Sequence, residues 1–120
     1  MGLSLRNGVA EPYDLITTAA GGAKSTPLAN GLLYSVRLTY SGADGSTTAA
    51  IAIVNGSDAN TIITVTGNTT RTVFPRGTAT KSDGSDSSTT NTEVYAVAQE
   101  NIRLTVTGNG TVTARVKLLA

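Results

Sequence analysis

The densest run of hard oxygen donors in the chain is Lys81-Ser82-Asp83-Gly84-Ser85-Asp86. Carboxylates at that spacing are what a calcium ion asks for, since it gathers many oxygen ligands around itself. The run lacks the terminal glutamate and the flanking helices of an EF-hand, so it reads as a solvated turn. The chain contains no histidine and no cysteine. That removes the usual general base at neutral pH, the commonest metal ligand, the Ser-His-Asp arrangement, disulfides and zinc-thiolate sites. A Ser-Lys nucleophile would need a lysine in a rigid pocket. Lys24 falls in an irregular N-terminal stretch, Lys81 in a loop and Lys117 on a strand face. Among the eight acidic residues, Asp44, Asp58, Asp83, Asp86 and Glu100 fall at expected turns, where the fixed separation of a glycosidase pair is hard to hold. Gly108-Asn109-Gly110 does not match a phosphate-binding loop, which needs a lysine and a following helix. These residues predict a non-enzymatic protein with no cofactor and no metal.

The elements that would position any site are strands. No segment shows helical periodicity. From Leu32 to Tyr40 the even positions are apolar (Leu32, Tyr34, Val36, Leu38 and Tyr40), which is the period of a half-buried strand. On this parity Tyr34 and Tyr40 point into the core, leaving Tyr95 as the exposed ring. Thr48 to Val54 is apolar on both faces and reads as a central strand, closed by Asn55-Gly56-Ser57-Asp58. Gly67-Asn68 lies between Thr61–Thr66 and Thr69–Phe74 and predicts a two-residue hairpin. Pro75 then ends the strand, having no N–H to give a ladder. Residues 76–92 are rich in Ser, Thr, Asp and Gly and predict a long flexible loop. In the last third, Val94, Ala96, Ala98, Ile102, Leu104 and Val106 share a parity that would bury Glu100, so a bend is expected at Gln99-Glu100-Asn101. Gly108-Asn109-Gly110 reads as a hairpin before a final strand that buries Val112, Ala114, Val116 and Leu118. Arg103 and Arg115 would then face each other across that hairpin, or bridge to acids on a neighbouring subunit.

Breakers at Glu11-Pro12, Gly21-Gly22, Thr26-Pro27 and Asn30-Gly31 leave residues 1–31 as an extended N-terminal arm, with one short strand near Tyr13 to Thr17. Residues 32–120 form the domain. Seven to eight strands at regular spacing predict an all-β fold, a single antiparallel β-sandwich or jelly-roll-like domain. Its core must be built from Ala, Val, Ile and Leu, because aromatics are 4% of the chain. The net charge of +1 gives no electrostatic case for nucleic acid or for an anionic membrane. Arg37 and Thr39 share a strand face with no aromatic, and Arg71, Arg76, Arg103 and Arg115 are dispersed, so a stacking groove for single strands is not expected. The first six residues lack a signal peptide's apolar core, which predicts synthesis in a cytoplasm.

The order of parts carries a resemblance. An irregular arm precedes the opening strand Leu32 to Tyr40, the Val73-Phe74-Pro75 step and a flexible loop. The chain then runs through Ile102-Arg103-Leu104-Thr105-Val106, a Gly-Asn-Gly turn and Thr111 to Val116. This resembles the small β-sandwich auxiliary proteins of tailed-bacteriophage particles, especially head decoration (cement) proteins. The resemblance implies a virion protein on the outer capsid surface, whose partners are the major capsid protein and neighbouring copies of itself, commonly as a trimer. Leu3, Leu5, Val9, Tyr13, Leu15 and Ile16 would then make inter-subunit contacts, by adding the arm to a neighbour's sheet edge. The alternatives are a carbohydrate- or receptor-binding module of fibre or adhesin type, or a tail or neck subunit.

Overall fold

The computed structural model describes residues 4–6, 9–11, 14–78 and 92–119, with side chains described from 16 to 77 and from 92 to 119. Among these residues there are strands and no helix: β1 (Ser4–Arg6), β2 (Val9–Glu11), β3 (Asp14–Ala19), β4 (Ala23–Ser25), β5 (Ala29–Ser41) and β6 (Thr48–Asn55). The order continues with β7 (Asp58–Thr66), β8 (Arg71–Val73), β9 (Gly77–Thr78), β10 (Thr92–Glu93), β11 (Ala96–Thr107) and β12 (Thr111–Leu119). All recorded pairings are antiparallel.

The strands form two layers. In the first, β5 lies between β8 and β12, and β12 lies between β5 and β3. In the second, β6 lies between β7 and β11, and β11 carries β4 on its other edge. Between the layers Val36, Leu38, Val112, Ala114 and Val116 meet Ala49, Ile51, Ile102, Leu104 and Val106, all of them 0–1% exposed. These are small branched side chains, and two thin sheets bury them without the large pieces that helix packing would need. The all-β sandwich expected from the sequence is therefore the fold.

Three local signals lead somewhere other than the sequence suggested. The Gly108-Asn109-Gly110 turn, with φ of +98° and +83° at its glycines, does not close a hairpin. It carries the chain from β11 in one layer to β12 in the other, so Arg103 and Arg115 do not pair: Arg103 is opposite Ala52 and Ser25, and Arg115 is opposite Arg37 and Leu15. Gly67-Asn68 behaves likewise, since β8 pairs with β5 rather than with β7. The Leu32 to Tyr40 alternation is broken by a bulge, because Lys117 is opposite Ser35 while Leu118 is opposite Leu33. The extra residue turns Leu33 into the core and leaves Leu32 and Tyr34 at the surface. Tyr40 is partly buried against the core, and so is Tyr95, which corrects the expected burial of Tyr34 and exposure of Tyr95.

The bend at Gln99 is present, as a second bulge with Gln99 at φ +53°. It spares Glu100 from the core and shifts parity, so Val97 is buried while Ala96 and Ala98 are exposed. It is also where β11 changes layer, from β5 to β6. The stretch expected as an arm is fastened to the body from Asp14 onward: β3 completes one layer and β4 the other. The corner between them is tied by Ala20 N–H to Gly110 O at 2.8 Å and Gly21 N–H to Val106 O at 2.7 Å. Buried Thr26 follows, its hydroxyl oxygen accepting from Ile102 N–H at 3.1 Å. β5 begins at Ala29, three residues before the expected domain start.

The arch at 108–110 is held by a polar cluster. Fully buried Thr47 donates its hydroxyl to Asn109 O at 2.7 Å and accepts from Asp44 N–H at 3.1 Å. Asn109 Nδ2 donates to Asp44 Oδ2 at 2.6 Å, and Ser46 donates from both N and Oγ to Asp44 Oδ1. These donors, the Ser46 hydroxyl foremost, hold the Asp44 carboxyl below its usual 3.8. A carboxylate favoured in the fold stabilises it above the unfolded value and loses that contribution as pH falls through the folded value. Asp44→Asn is therefore expected to unfold at lower urea concentration than wild type at pH 7. The gap narrows as the pH drops below 3.8, and a gap constant down to pH 2 would exclude the linkage.

Candidate functional site

The outer face of the β8–β5–β12–β3 layer gathers the charge that looked dispersed in sequence. Arg37 and Arg115 are directly opposite on β5 and β12, and Thr39 and Thr113 form the next pair along. The four line a shallow depression of about 200 Å³. Antiparallel register alone produces this, since opposed residues share a face. Arg37 Nη1 donates to Thr72 Oγ1 on β8 at 3.2 Å, which lays its side chain across the strand edge. The Oγ1 atoms of Thr17 and Thr113 share a hydrogen bond at 3.0 Å, and Thr39 Oγ1 donates to Thr113 O at 3.4 Å. The threonine hydroxyls add a polar patch beside the two arginines.

The bulge adds an aromatic end to this face. Tyr34 is 37% exposed and Phe74 51% exposed, with ring centroids 5.5 Å apart at 80°, an edge-to-face pair. Two cations flank the Tyr34 ring: Lys117 Nζ lies 5.7 Å and Arg76 Cζ 6.0 Å from its centroid. Arg76 is held there by donating from Nη1 to Tyr34 O at 3.1 Å and to Pro75 O at 2.7 Å. Exposed Leu32 borders the same end through its pairing with Leu119. The four acids whose side chains are described lie elsewhere. Asp44 is in the loop after β5, Asp58 starts β7, Glu93 is in β10, and Glu100 at the bulge accepts from Ala98 N–H at 3.0 Å.

The sequence clue to the aromatic end of this site is the adjacent pair Leu32-Leu33 before Tyr34, two apolar neighbours where strict alternation allows one. Two further depressions meet at Tyr95 and Ala96, one of about 390 Å³ with Gly77 and Glu93, the other of about 260 Å³ with Asp58 and Glu100. Neither gathers a cluster of metal-ligand type among the described residues. The base of the 76–92 loop is a two-stranded ribbon, with Thr78 opposite Thr92 and Gly77 opposite Glu93. The Lys81–Asp86 run lies outside the described residues.

Of the residues expected at inter-subunit contacts, Leu3 and Tyr13 lie outside the described residues. Leu5, Val9 and Leu15 lie in β1, β2 and β3. Ile16 is 3% exposed and packs in the chain's own core opposite Ala114. β1 pairs with β2, and among the described residues β2 pairs with β12 at Val9 opposite Leu119. Comparison of the chain with protein-family models, with curated proteins and with solved structures finds no match.

Proposed function

We propose that this protein is a non-enzymatic structural component of a virus particle, a decoration protein that binds the outer capsid surface and neighbouring copies of itself as a trimer. The observation that carries the reading is the N-terminal ribbon. β1 and β2 form a three-pair ladder that joins the sheet through Val9 opposite Leu119 on β12, and no strand lies on the outer edge of β1 among the described residues. An unpaired edge at the end of a sheet is the element that strand addition uses, with main-chain hydrogen bonds supplying affinity. The edge strand β7 carries a bulge at Ile62, opposite the Ile51/Ala52 step, and such irregularities keep edges from indiscriminate pairing. Low charge suits many copies held close together.

The test is solution mass by light scattering, with and without residues 1–12. A trimer that becomes a monomer on truncation is the expected result. A monomer in both forms, or a trimer in both, overturns the ribbon as the assembling element. The alternative of a carbohydrate-binding module draws support from the exposed Phe74 ring. It is opposed by the Tyr34 ring, which already has Phe74 at its edge and the Lys117 and Arg76 cations near it as competitors for a sugar.

A further inference from the structure

Resting on the assembly reading above, we propose that residues 58–61 of β7 accept β1 of a second copy as an added antiparallel strand, with Leu5 opposite Ala59 and Arg6 opposite Asp58. The hydrogen-bonded path through the molecule runs β1-β2-β12-β5-β11-β6-β7, so β1 and β7 are its two ends. Neither has a further partner among the described residues. The ends differ in sequence and length, so joining one to the other is a head-to-tail contact, the kind that closes a ring of copies. A closed ring leaves neither end of the path open. Other outer strands are blunted by cations, β4 by Lys24 at its centre and β8 by Arg71 at its start. β7 has one charge, Asp58, and no proline.

Local geometry restricts the register. Asn55 and Asp58 are opposed across two intervening residues, and so are Arg6 and Val9. In such a closure the backbone groups of the end pair bond each other. Alternation then turns the N–H and C=O of Ala59, and those of Leu5, toward the outer edge. An added strand must bring these outward groups together. Moving β1 by two residues in one direction sets Ser4 opposite the bulged Ile62. Moving it in the other sets Leu5 opposite Ser57 in the turn. One antiparallel register remains: Leu5 opposite Ala59, Ser4 opposite Asn60 and Arg6 opposite Asp58. The bulge thus limits the accepting stretch to a length that suits a strand of three residues.

Charge agrees with this register. It sets a cation opposite an anion, a favourable cross-strand pair. Asp58 and Glu100, with Asn55 and Asn60, line the depression of about 260 Å³, and no cation lines it among the described residues. The ribbon holds an acid of its own, Glu11 opposite Ser4. Glu11 is a diagonal neighbour of Arg6, at about 7–8 Å, whereas a directly opposed residue has its Cβ about 4.5–5.5 Å away. Asp58 is therefore the nearer acid. Residues 58–61 are all exposed, so the accepting stretch is open to another chain.

The chain has no cysteine, so introduced thiols report single contacts. Leu5→Cys and Ala59→Cys are placed in separate, differently tagged full-length chains, produced together and mildly oxidised. Opposed residues of a hydrogen-bonded pair have Cα atoms about 5.5 Å apart, within the range of a disulfide. The mixed dimer is expected to exceed that of Leu5→Cys with Lys24→Cys, on the β4 edge, by about ten-fold or more. Asp58→Arg in the accepting chain, checked for unchanged circular dichroism, is expected to reduce the cross-link about five-fold. Arg6→Asp in the donating chain is expected to restore it, which a misfolded acceptor would not allow. A mixed dimer no more abundant than the Lys24→Cys control, or no recovery on exchanging the charges, overturns the acceptor. Ala59→Cys chains that link chiefly to one another overturn it in favour of a symmetric contact. A wild-type trimer by light scattering without the Leu5–Ala59 link loses this acceptor and keeps the assembly reading. A monomer that still forms the link keeps the acceptor and loses the trimer.

Discussion

Gly110→Ala is expected to destabilise the fold by about 3–5 kcal/mol, a large part of the roughly 5–15 kcal/mol typical of a domain. Two costs add. Gly110 sits at φ +83°, a region that L side chains enter at a cost of about 1–2 kcal/mol. A Cβ there would also press on Ala43 N and lie 2.5 Å from Gly42 C and 2.6 Å from Ala43 Cα, all of them backbone atoms that cannot rotate away. The loop that would have to move holds Asp44 and Thr47, so relief at Gly110 breaks the cluster that fixes the arch. Gly56→Ala is the control. Gly56 also has positive φ, +61°, at the first loop position of the β6–β7 hairpin, but nothing lies within 4 Å of its Cβ position. It should cost only the conformational term, about 1–2 kcal/mol. Urea denaturation of the three proteins measures both, and equal losses would show that crowding at the arch contributes nothing.

Leu104→Ala is the second large effect, expected at about 3–4 kcal/mol. Leu104 is fully buried on β11, the strand shared by both layers, between Ile51 on β6 and Lys24 on β4. Removing it leaves a cavity that neighbours on paired strands cannot collapse into, because their backbones are fixed on both sides. For a chain of this size the melting temperature should fall by on the order of 10–15 °C. Ala98→Gly on the exposed part of the same strand should fall by only a few degrees, at about 0.5–1 kcal/mol. A drop at Leu104 no larger than that would mean the interlayer space relaxes freely.

How far these features are legible in the sequence depends on the range over which each signal acts. Period-two alternation is local, and it places Ile102, Leu104 and Val106 and the four apolar residues of β12 in the core correctly. Turn chemistry is local too, and Gly-Asn-Gly and Gly67-Asn68 do mark reversals. What a turn does not encode is whether the next strand returns beside the last or crosses to the facing layer. That is decided by which edge remains open, a property of the assembled sheets. Glu100 was a better guide, because the cost of burying a carboxylate is large enough to demand a bend by itself.

The candidate face was hidden for a related reason. Arg37 and Arg115 are far apart in sequence, and only the pairing of β5 with β12 makes them neighbours. Tyr34 reaches that face because one extra residue in β5 reverses its direction, and a single bulge overturns every parity argument on its far side. The adjacent leucines at 32 and 33 are the trace it leaves in the sequence.

The position of β12 has a consequence for how the molecule comes into being. The latest strand in chain order fills the middle of its layer, between β5 and β3, instead of adding to an edge. Until it arrives, those two have no common partner and the inner side of that layer is open to water. In a polypeptide emerging from the ribosome in order, β3 and β5 therefore precede the strand that joins them, and closure of the layer waits on one long-range event. Folding of that kind is slow and leaves apolar strands exposed to other chains. Overproduction at low temperature, which slows association of such intermediates more than it harms the finished protein, follows directly from where that strand sits.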